Sequence, residues 1–255
     1  MRFDIMTLFP DAVDAMLSSS IIGRARTKGI LDIRTHNIRD FAFNKHRSVD
    51  DTPYGGGRGM LMATEPIYEC YKSVVSKEDY NVLPEKRCVI YMSPKGKVLT
   101  QEHAKELLAY DSIIILCGHY EGVDQRVIDK IIDEEISVGD YVLSGGELPA
   151  CILVDCVSRM VDGVLPAPEC YEDESISAGL LEYPQYTRPY EFCGEKVPDV
   201  LISGNHELVA KWRLEKSLEI TKKRRPDIYE KYINENACEV HKKKRAEKTT
   251  GKDTD

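Results

Sequence analysis

A glycine-rich stretch, Ser137 to Ala150, contains the residue types best suited to binding a ligand. It reads SVGDYVLSGGELPA, with three glycines and one proline inside an apolar run. Glycine permits positive φ and close backbone approach, and proline with glutamate suits the first turn of a helix. The pattern predicts strand, glycine turn, short loop, glycine turn and helix. Such a loop presents backbone N–H and C=O groups to a small polar ligand, although two purely structural turns would leave the same pattern.

Two other short loops also follow apolar runs. Residues 91–96 read YMSPKG and residues 117–122 read CGHYEG, so each carries glycine or proline where a strand should end. Ligands of parallel α/β sheets bind at the carboxyl ends of the strands. We therefore expect all three loops to meet there and form a pocket. No G-x-G-x-x-G follows a strand and no phosphate-binding loop is present, so the usual nucleotide signatures are absent from the sequence.

The elements that position these loops alternate along the first half of the chain. Apolar spacing predicts strands at 2–9, 31–38, 88–92 and 112–117 and helices at 10–17, 21–28, 64–75, 100–110 and 123–132. Ser112–Cys117, SIIILC, is continuously apolar, which is typical of a parallel strand buried on both faces. The alternation predicts an α/β domain with a mainly parallel sheet.

One long segment between these elements has no periodic pattern. Residues 40–60 contain four glycines, a proline and alternating charges. A loop of this length inside a compact domain is usually functional, so we expect this segment to serve the site.

The pattern changes after Val161. Residues 162–177 combine two prolines with five acidic residues and predict a linker. Strand or loop with turns follows at 184–198, and Asn205 then caps a long helix, 206–225, with Leu208, Trp212 and Leu218 on its apolar face. Pro226 breaks this helix and a short helix is expected at 227–233. The charged tail from His241 has the composition of a disordered segment.

Composition narrows the class of protein. The chain has 255 residues, 42% of them apolar, and a net charge of −8, which argues against blanket nucleic-acid binding but permits a local basic patch. No apolar run reaches the roughly 20 residues of a membrane span, and no secretory signal is recognisable. The eight cysteines form no CxxC pair, which predicts buried thiols in a reducing cytoplasm and neither a disulfide framework nor a metal site.

Charge is distributed unevenly along the chain. Residues 208–245 contain twelve Lys and Arg against six Asp and Glu, a balance of about +6. This asymmetry indicates a surface for a polyanion. A solvated helix face and a solubilising tail are the alternative; that alternative suits the tail, whereas the helix, together with Arg188, favours contact with RNA or DNA.

Seven motifs in this order resemble one family, the bacterial tRNA (guanine-N1)-methyltransferases of the SPOUT class, which methylate the guanine 3′ of the anticodon (position 37). The motifs are FDIMTLFP (3–10), DDTPYGGGRGMLM (50–62), YMSPKGK (91–97), CGHYEGVDQRV (117–127), the stretch 137–150, GLLEYPQYTRP (179–189) and SGNHELVAKWR (203–213). The resemblance extends to about Ile233. Two alternative functions are consistent with parts of the sequence: another nucleotide-dependent α/β enzyme, and an RNA-binding protein without catalysis.

The resemblance implies a fold and an organisation that periodicity does not reveal. The sheet would carry a trefoil knot at its ligand end, and the enzyme would be a homodimer whose active sites are shared between chains. Residues 1–160 would form the knotted α/β domain that binds S-adenosylmethionine, 161–178 the linker and 179–240 a small helical tRNA-binding domain, followed by the tail 241–255. The tRNA would be contacted by residues of this second domain, namely Arg188, Ser203, Asn205, His206, Arg213, Lys222, Lys223, Arg224 and Arg225.

The resemblance also implies which residues hold S-adenosylmethionine. They lie in the three loops and act largely through backbone groups: Tyr91, Met92, Ser93, Pro94, Gly118, Tyr120, Glu121, Gly122, Ser137, Val138, Gly139, Asp140, Tyr141, Val142, Leu143, Gly145, Gly146 and Pro149. A role for Mg²⁺ in activity is possible in the family, but no ligand cluster in the sequence predicts where it would bind. His119 stands where some members have arginine, a change that a backbone-dominated loop should tolerate.

The implied catalytic pair is an arginine and a carboxylate. Guanine N1 carries a proton at neutral pH, so methylation needs a base at N1 and a group that stabilises charge at O6. The family arginine falls on Arg159, although favourable interaction with a helix C-terminus would also explain it. The family base is an Asp followed by Ser; this chain has Glu174-Ser175, with Asp173 one place earlier as the second candidate. Ordinary solvated loop charges are the alternative for both acids.

Overall fold

A computed structural model describes residues 1–167, 171, 175–176 and 179–236. Its backbone divides into two units, Met1–Pro168 and Glu169–Asp255. The division falls inside the predicted linker. The predicted tail, 241–255, lies outside the described residues, as does most of the predicted linker from residue 168 onward.

The first unit is built on a five-stranded parallel sheet of order β2-β1-β6-β5-β7. Its strands are β1 (Arg2–Thr7), β2 (Asp32–Asn37), β5 (Arg87–Val98), β6 (Ser112–Cys117) and β7 (Glu134–Ser137). A two-stranded antiparallel ladder joins β3 (Asp50–Asp51) to β4 (Leu61–Met62). The prediction of an α/β domain with a mainly parallel sheet is confirmed.

The helices of this unit are α1 (Pro10–Leu17), α2 (Ser20–Thr27), α3 (Thr64–Val75), α4 (Gln101–Glu106), α5 (Gln125–Ile131) and α6 (Glu147–Ser158). Helix α6 packs against α1 and α4, while α3 packs against α5. Local signals set several helix starts: Pro10 begins α1, and the Thr100 side chain accepts a hydrogen bond from the backbone N of His103 at 3.1 Å, as its predicted cap position requires.

The middle of the sheet forms the core. All six residues of β6 are buried, which confirms that SIIILC is a central strand covered on both faces. Its isoleucines pair in register with β1 on one side and β5 on the other. Because the central strands are fixed in this way, the loops leaving their carboxyl ends start from a rigid edge.

Strand β5 differs from the prediction. It was expected to end at Met92, but it continues to Val98. Met92 and Lys97 both pair with Ile136 of β7, so residues 93–96 leave the ladder and β5 then resumes. The turn residues of the sequence are correctly located, yet they interrupt the strand without ending it. The excursion lifts Ser93 and Pro94 away from the sheet beside β7.

The described part of the second unit contains a short hairpin followed by helical segments. Strands β8 (Glu191–Phe192) and β9 (Glu195–Lys196) pair antiparallel, followed by α7 (Asp199–Ile202) and α8 (His206–Arg224). Residues 226–236 are helical as well. Asn205 caps α8 as predicted, its side chain accepting from Leu208 N at 3.1 Å. The expected apolar face is only partly buried, since Leu208 is 51% exposed, whereas Ser217 and Thr221 are buried.

Two hydrogen bonds of the Thr221 hydroxyl accompany the burial of Ser217 and Thr221. The Thr221 hydroxyl donates to Ser217 O at 2.6 Å and accepts from Leu181 N at 2.9 Å. The helix therefore fixes the segment before the hairpin through polar groups as well as through apolar packing. Among the described helices, none is long and apolar enough to cross a membrane.

Candidate active site

The three predicted loops line one cavity of about 220 Å³, beside the interruption of β5 at residues 93–96 and at the carboxyl ends of β6 and β7. Every residue predicted to hold the methyl donor lines it except Asp140, which is exposed beside it. His119, Ile136 and Ser144 line it too. The structure thus brings the predicted residues together; what they bind stays a prediction.

The charge of the lining restricts the ligand. Among the described residues that line it, Glu121 is the one acidic side chain, and no Lys or Arg belongs to the set. Phosphate groups are normally held by Arg, Lys or helix N-termini. The N-terminus of α6 lies in the lining at Gly146, but the described lining lacks the basic side chains that commonly hold phosphates, and this favours a nucleoside-like ligand over a dinucleotide.

Close backbone packing joins the second and third loops. Gly146 N donates to Gly118 O at 2.9 Å. A Cβ at Gly146 would lie 2.7 Å from Cys117 Cα and 2.9 Å from Gly118 N, distances that real side chains do not tolerate. Glycine is needed at position 146 because two backbones touch there.

The middle of the third loop is ordered by its own polar groups and projects outward. Ser137 Oγ accepts from Gly139 N at 3.2 Å, and the Tyr141 hydroxyl donates to Val138 O at 3.2 Å. Tyr141 is 54% exposed and Val142 is 83% exposed. The loop therefore holds its shape while presenting apolar side chains and backbone groups at the cavity mouth.

A carboxylate connects the cavity to the end of β1. Glu147 accepts from the Thr7 hydroxyl at 2.6 Å and lies 2.7 Å from His119 Nε2. The Phe9 ring lies 5.1 Å from the His119 ring. The sequence suggested that the loop would act mainly through its backbone; the structure adds a defined set of partners for the His119 side chain. No sequence signal pairs residues 119, 147 and 7.

Buried thiols lie under the same carboxylate. Burial raises the pKa of Cys117 well above its usual value, and the nearby charge of Glu147 acts in the same direction. Burial, with Glu147 again adding to it, raises the pKa of Cys151 to about 11. Both thiols are neutral at physiological pH, so neither is a nucleophile or a metal ligand in that state.

The long segment 40–60 reaches this site from the other side. Its last residues run into β4, and Glu121 N donates to Met60 O at 3.0 Å while Met62 N donates to Gly122 O at 2.9 Å. The Glu121 side chain fills the space beside Gly59. The expectation that the segment serves the site stays a prediction. The C-terminal end of the segment does pack against the loop that contains Glu121. Sequence spacing gave no sign of that contact.

The structure does not bring Arg159 into this cavity. Arg159 follows the last turn of α6 and lines a second cavity of about 650 Å³ with residues of α1 and α2. Exposed apolar side chains lie along the same helices, including Met16, Leu148 and Ile152. Glu174 and Asp173 lie outside the described residues. Within the described part of one chain, the implied arginine and the donor cavity are therefore separate.

The residues expected to contact tRNA lie in the second unit, and most are exposed there. Several of them also have local structural partners. Ser203 Oγ accepts from Asn205 N at 3.2 Å, and the Arg213 guanidinium lies 4.7 Å from the Tyr183 ring centre. Arg225 forms two hydrogen bonds with Asp227, at 2.9 and 2.6 Å.

Arg188, His206, Lys222, Lys223 and Arg224 are also exposed. The Lys222 ammonium lies 5.8 Å from the Tyr229 ring centre. Lys222, Lys223 and Arg224 therefore form an exposed cationic cluster at the end of α8. Arg225, which follows them, is already paired with Asp227.

Comparison with known proteins identifies the family. A sequence model described as tRNA (Guanine-1)-methyltransferase TrmD matches residues 1–231. The chain belongs to this family. A Ruminiclostridium cellulolyticum protein named tRNA (guanine-N(1)-)-methyltransferase is 52% identical over 236 residues, 92% of this chain and 99% of the relative. Proteins of the same name are 53% identical in Clostridioides difficile and 54% in Clostridium perfringens, each over 231 residues, covering 91% of this chain and 98% and 94% of the relative.

The family membership confirms the resemblance found in the sequence and the class of enzyme that it implied. It also gives the geometry a context: a methyltransferase needs a site for a methyl donor and a site for the base that accepts it. The cavity of the first unit and the cationic end of α8 are the described features to consider for those roles.

Proposed function

We propose that the protein transfers a methyl group from S-adenosylmethionine to N1 of the guanine immediately 3′ of the anticodon, position 37, in tRNA. The observation that carries the proposal is the cavity formed by the three strand-end loops in a chain of the tRNA (guanine-1)-methyltransferase family. The donor supplies a methyl group activated by a positively charged sulfonium.

The cavity fits this donor chemically. Its described lining contains no Lys or Arg, includes Glu121 and brings backbone groups close together at glycines where a side chain would intrude. A cationic nucleoside meets the Glu121 carboxylate there, whereas the pyrophosphate of a dinucleotide meets no Lys or Arg side chain in the described lining. The lining therefore supports S-adenosylmethionine over the rival nucleotide-dependent enzymes.

The chain's own groups would act on the guanine. The N1 proton passes to a carboxylate, Glu174 with Asp173 as the second candidate, while the Arg159 guanidinium stabilises the negative charge that develops on O6. A planar guanidinium with five donors suits a carbonyl oxygen of this kind. Both acids belong to the linker, so this assignment rests on the family resemblance and the spacing from Arg159.

A homodimer would reconcile Arg159 with the donor cavity. In one chain Arg159 lines a cavity different from the one that the loops form. The face that contains Arg159 also exposes Met16, Leu148 and Ile152, a set of apolar side chains typical of an interface. A second copy on this face would complete a site from two chains, with the trefoil knot of the family holding the loops.

The tRNA would be held by the second unit. Lys222, Lys223 and Arg224 are exposed near the end of α8, and cations of this kind neutralise phosphates without reading sequence. A tRNA substrate also implies a cytoplasmic enzyme. The described residues contain no group of three or more His, Cys, Asp or Glu that could hold a metal, so the structure suggests no residues for any Mg²⁺ used in activity.

Calorimetry separates the proposal from its rivals. The purified protein should bind S-adenosylmethionine and S-adenosylhomocysteine with one site per chain and should not bind NAD. Binding of NAD alone would favour another nucleotide-dependent enzyme, and binding of RNA with neither donor nor product would favour a non-catalytic RNA-binding protein. Loss of donor binding in Gly146→Val with the fold retained would locate the site in the cavity.

A further inference from the structure

The side chains of His119 and Glu147 contact each other where the second loop (residues 117–122) packs against the third loop (residues 137–150). Glu147 is the first residue of α6, and both of its carboxylate oxygens have partners. One oxygen accepts a hydrogen bond from the Thr7 hydroxyl at 2.6 Å, and the other lies 2.7 Å from His119 Nε2. Thr7 Oγ1 in turn accepts from Phe9 N at 2.9 Å. One carboxylate thereby connects the end of β1, the start of α6 and the loop that follows β6.

The same pair occupies the space beside Gly145. A Cβ built on Gly145 would lie 2.3 Å from His119 Cε1, 2.4 Å from His119 Nε2 and 2.6 Å from the Glu147 carboxylate. The imidazole–carboxylate contact therefore fills the position where a side chain at 145 would point. The pair therefore packs directly beside the Gly145 backbone of the third loop.

Burial makes the pair a defined contact. The His119 and Glu147 side chains are 17% and 13% exposed. Charge-assisted hydrogen bonds are stronger than neutral ones, and more so away from water. The positive end of the α6 dipole also favours a carboxylate in its first turn. His119 is further held by the Phe9 ring at 5.1 Å.

Two other histidine–carboxylate pairs allow a comparison. His36 lies 2.8 Å from Asp4, and His103 lies 3.0 Å from Glu134. Neither histidine lines the donor cavity, whereas His119 does. A pair with only a structural role could lie away from the cavity, as these two do. His119 lies in the cavity lining, so a change in its pairing with Glu147 would also reach the ligand site.

We propose that His119 and Glu147 are positioning residues for the methyl donor: they set the separation of the second and third loops by fixing the Gly145 backbone. This rests on the proposed donor cavity. Neither side chain needs to take part in the chemical step. The pair acts by holding the backbone groups of the third loop where the donor meets them.

The test combines affinity with kinetics. His119→Ala should weaken binding of S-adenosylhomocysteine about tenfold, equivalent to ~1.4 kcal/mol, and raise KM for the donor by a similar factor. At saturating donor, kcat should change much less. His119→Gln should retain most of the affinity, because its amide nitrogen is able to donate to Glu147. His36→Ala, which removes a buried pair elsewhere, should lower thermal stability and leave the affinity unchanged.

A pair of double variants tests the contact itself. Gly145→Ala should weaken product binding because its methyl group meets His119, and adding His119→Ala should recover part of the loss. The matched double variant Gly146→Ala with His119→Ala should show no recovery, since Gly146 meets the backbone of Cys117. Recovery at 145 but not at 146 is the expected signature.

Two results would overturn the proposal. Wild-type affinity and KM in a folded His119→Ala protein would show that the pair does not set the loops. Equal harm from Gly145→Ala with and without His119 would show that the histidine is not what the methyl group meets. Failure of the wild-type protein to bind S-adenosylhomocysteine would instead contradict the proposed donor cavity, so the two failures are distinguishable.

Discussion

Gly146→Ala isolates the role of backbone packing in the donor cavity. The new methyl carbon would lie 2.7 Å from Cys117 Cα and 2.9 Å from Gly118 N. Carbon atoms in good contact are about 3.5–4.0 Å apart, so the second and third loops have to separate by roughly 1 Å. The φ of Gly146 is −83°, which alanine adopts freely. The effect is therefore steric, without a dihedral penalty.

The size of the effect follows from that separation. Overpacking of this kind costs about 1–3 kcal/mol, and a shift of about 1 Å in a site costs on the order of 10²-fold in rate. If the strain is relieved only when the loops part, the same energy weakens product binding by about 5- to 150-fold. We expect S-adenosylhomocysteine affinity to fall within this range in a folded protein with lower thermal stability.

Calorimetry and thermal unfolding check this result together. Gly29→Ala is the matched control, because Gly29 has φ +73° and nothing within 4 Å of its added Cβ. It should lose about 1–2 kcal/mol of stability from the left-handed backbone and keep full affinity. A folded Gly146→Ala protein with unchanged affinity would refute the view that the contact of these two loops forms the donor cavity.

Three further predictions concern RNA, acid stability and the base. Replacing Lys222 and Lys223 by Ala should lower the slope of log K for tRNA against log salt by about 0.7–0.9 per lost phosphate contact, measured by filter binding. Asp4→Asn should remove a stabilising contribution present above about pH 4, measured by urea unfolding from pH 3 to 7. Glu174→Gln should reduce methyl transfer by about 10²–10⁴-fold without loss of donor binding, whereas Asp173→Asn should retain it.

Each of these has a control and a contrary outcome. The control variant Lys28→Ala with Lys105→Ala removes two exposed cations from the first unit and should leave the slope of log K against log salt unchanged. If the slope is also unchanged when Lys222 and Lys223 are replaced, these lysines do not contact tRNA phosphates. Full activity in Glu174→Gln together with loss of activity in Asp173→Asn would assign the role of base to Asp173. Full activity in both variants would show that neither linker acid is the base.

The sign of the acid effect comes from the environment of Asp4. Burial opposes ionisation of this fully buried carboxyl, but hydrogen bonds from His36 and Arg2 outweigh it and hold its pKa below the usual value. A depressed folded-state pKa stabilises the protein above the unfolded pKa and loses that contribution as pH falls through the folded value. A stability profile of Asp4→Asn parallel to wild type below pH 5 would contradict this reasoning.

Shared sites between chains give one more test. Arg159→Ala and Glu174→Gln should each be inactive as homodimers, and mixing the two unfolded proteins and refolding them together should restore at most one competent site per heterodimer. Recovery of activity measured by methyl transfer would support residues from different chains. No recovery, with heterodimers demonstrated, would place both residues in one chain's site or remove one from catalysis.

Local sequence pattern predicted much of the first unit. The run SIIILC gave β6 because a strand buried on both faces has to be apolar throughout, and Thr100 and Asn205 marked helix starts through their capping oxygens. The loops after β6 and β7 were correctly placed at strand ends, where backbone groups become accessible because the ladder stops. These are short-range properties, so the sequence carries them directly.

Features set by distant residues were not predictable in this way. The resumption of β5 after residue 96 depends on its second pairing with Ile136, and the pair His119–Glu147 joins residues 28 positions apart. The position of Arg159 away from the donor cavity follows from how α6 packs, which spacing along the chain does not encode. Arg225 could have been anticipated as partly engaged, because Asp227 follows it by two residues.

The most direct test of the account is a methyl-transfer assay with S-adenosylmethionine and an unmodified tRNA transcript that has guanine 3′ of its anticodon, followed by mapping of the modified base. The account predicts one methyl group per transcript, at N1 of that guanine, and none when the guanine is replaced by adenine. Methylation at another base or another atom, or no transfer by a protein that binds the donor, would contradict it.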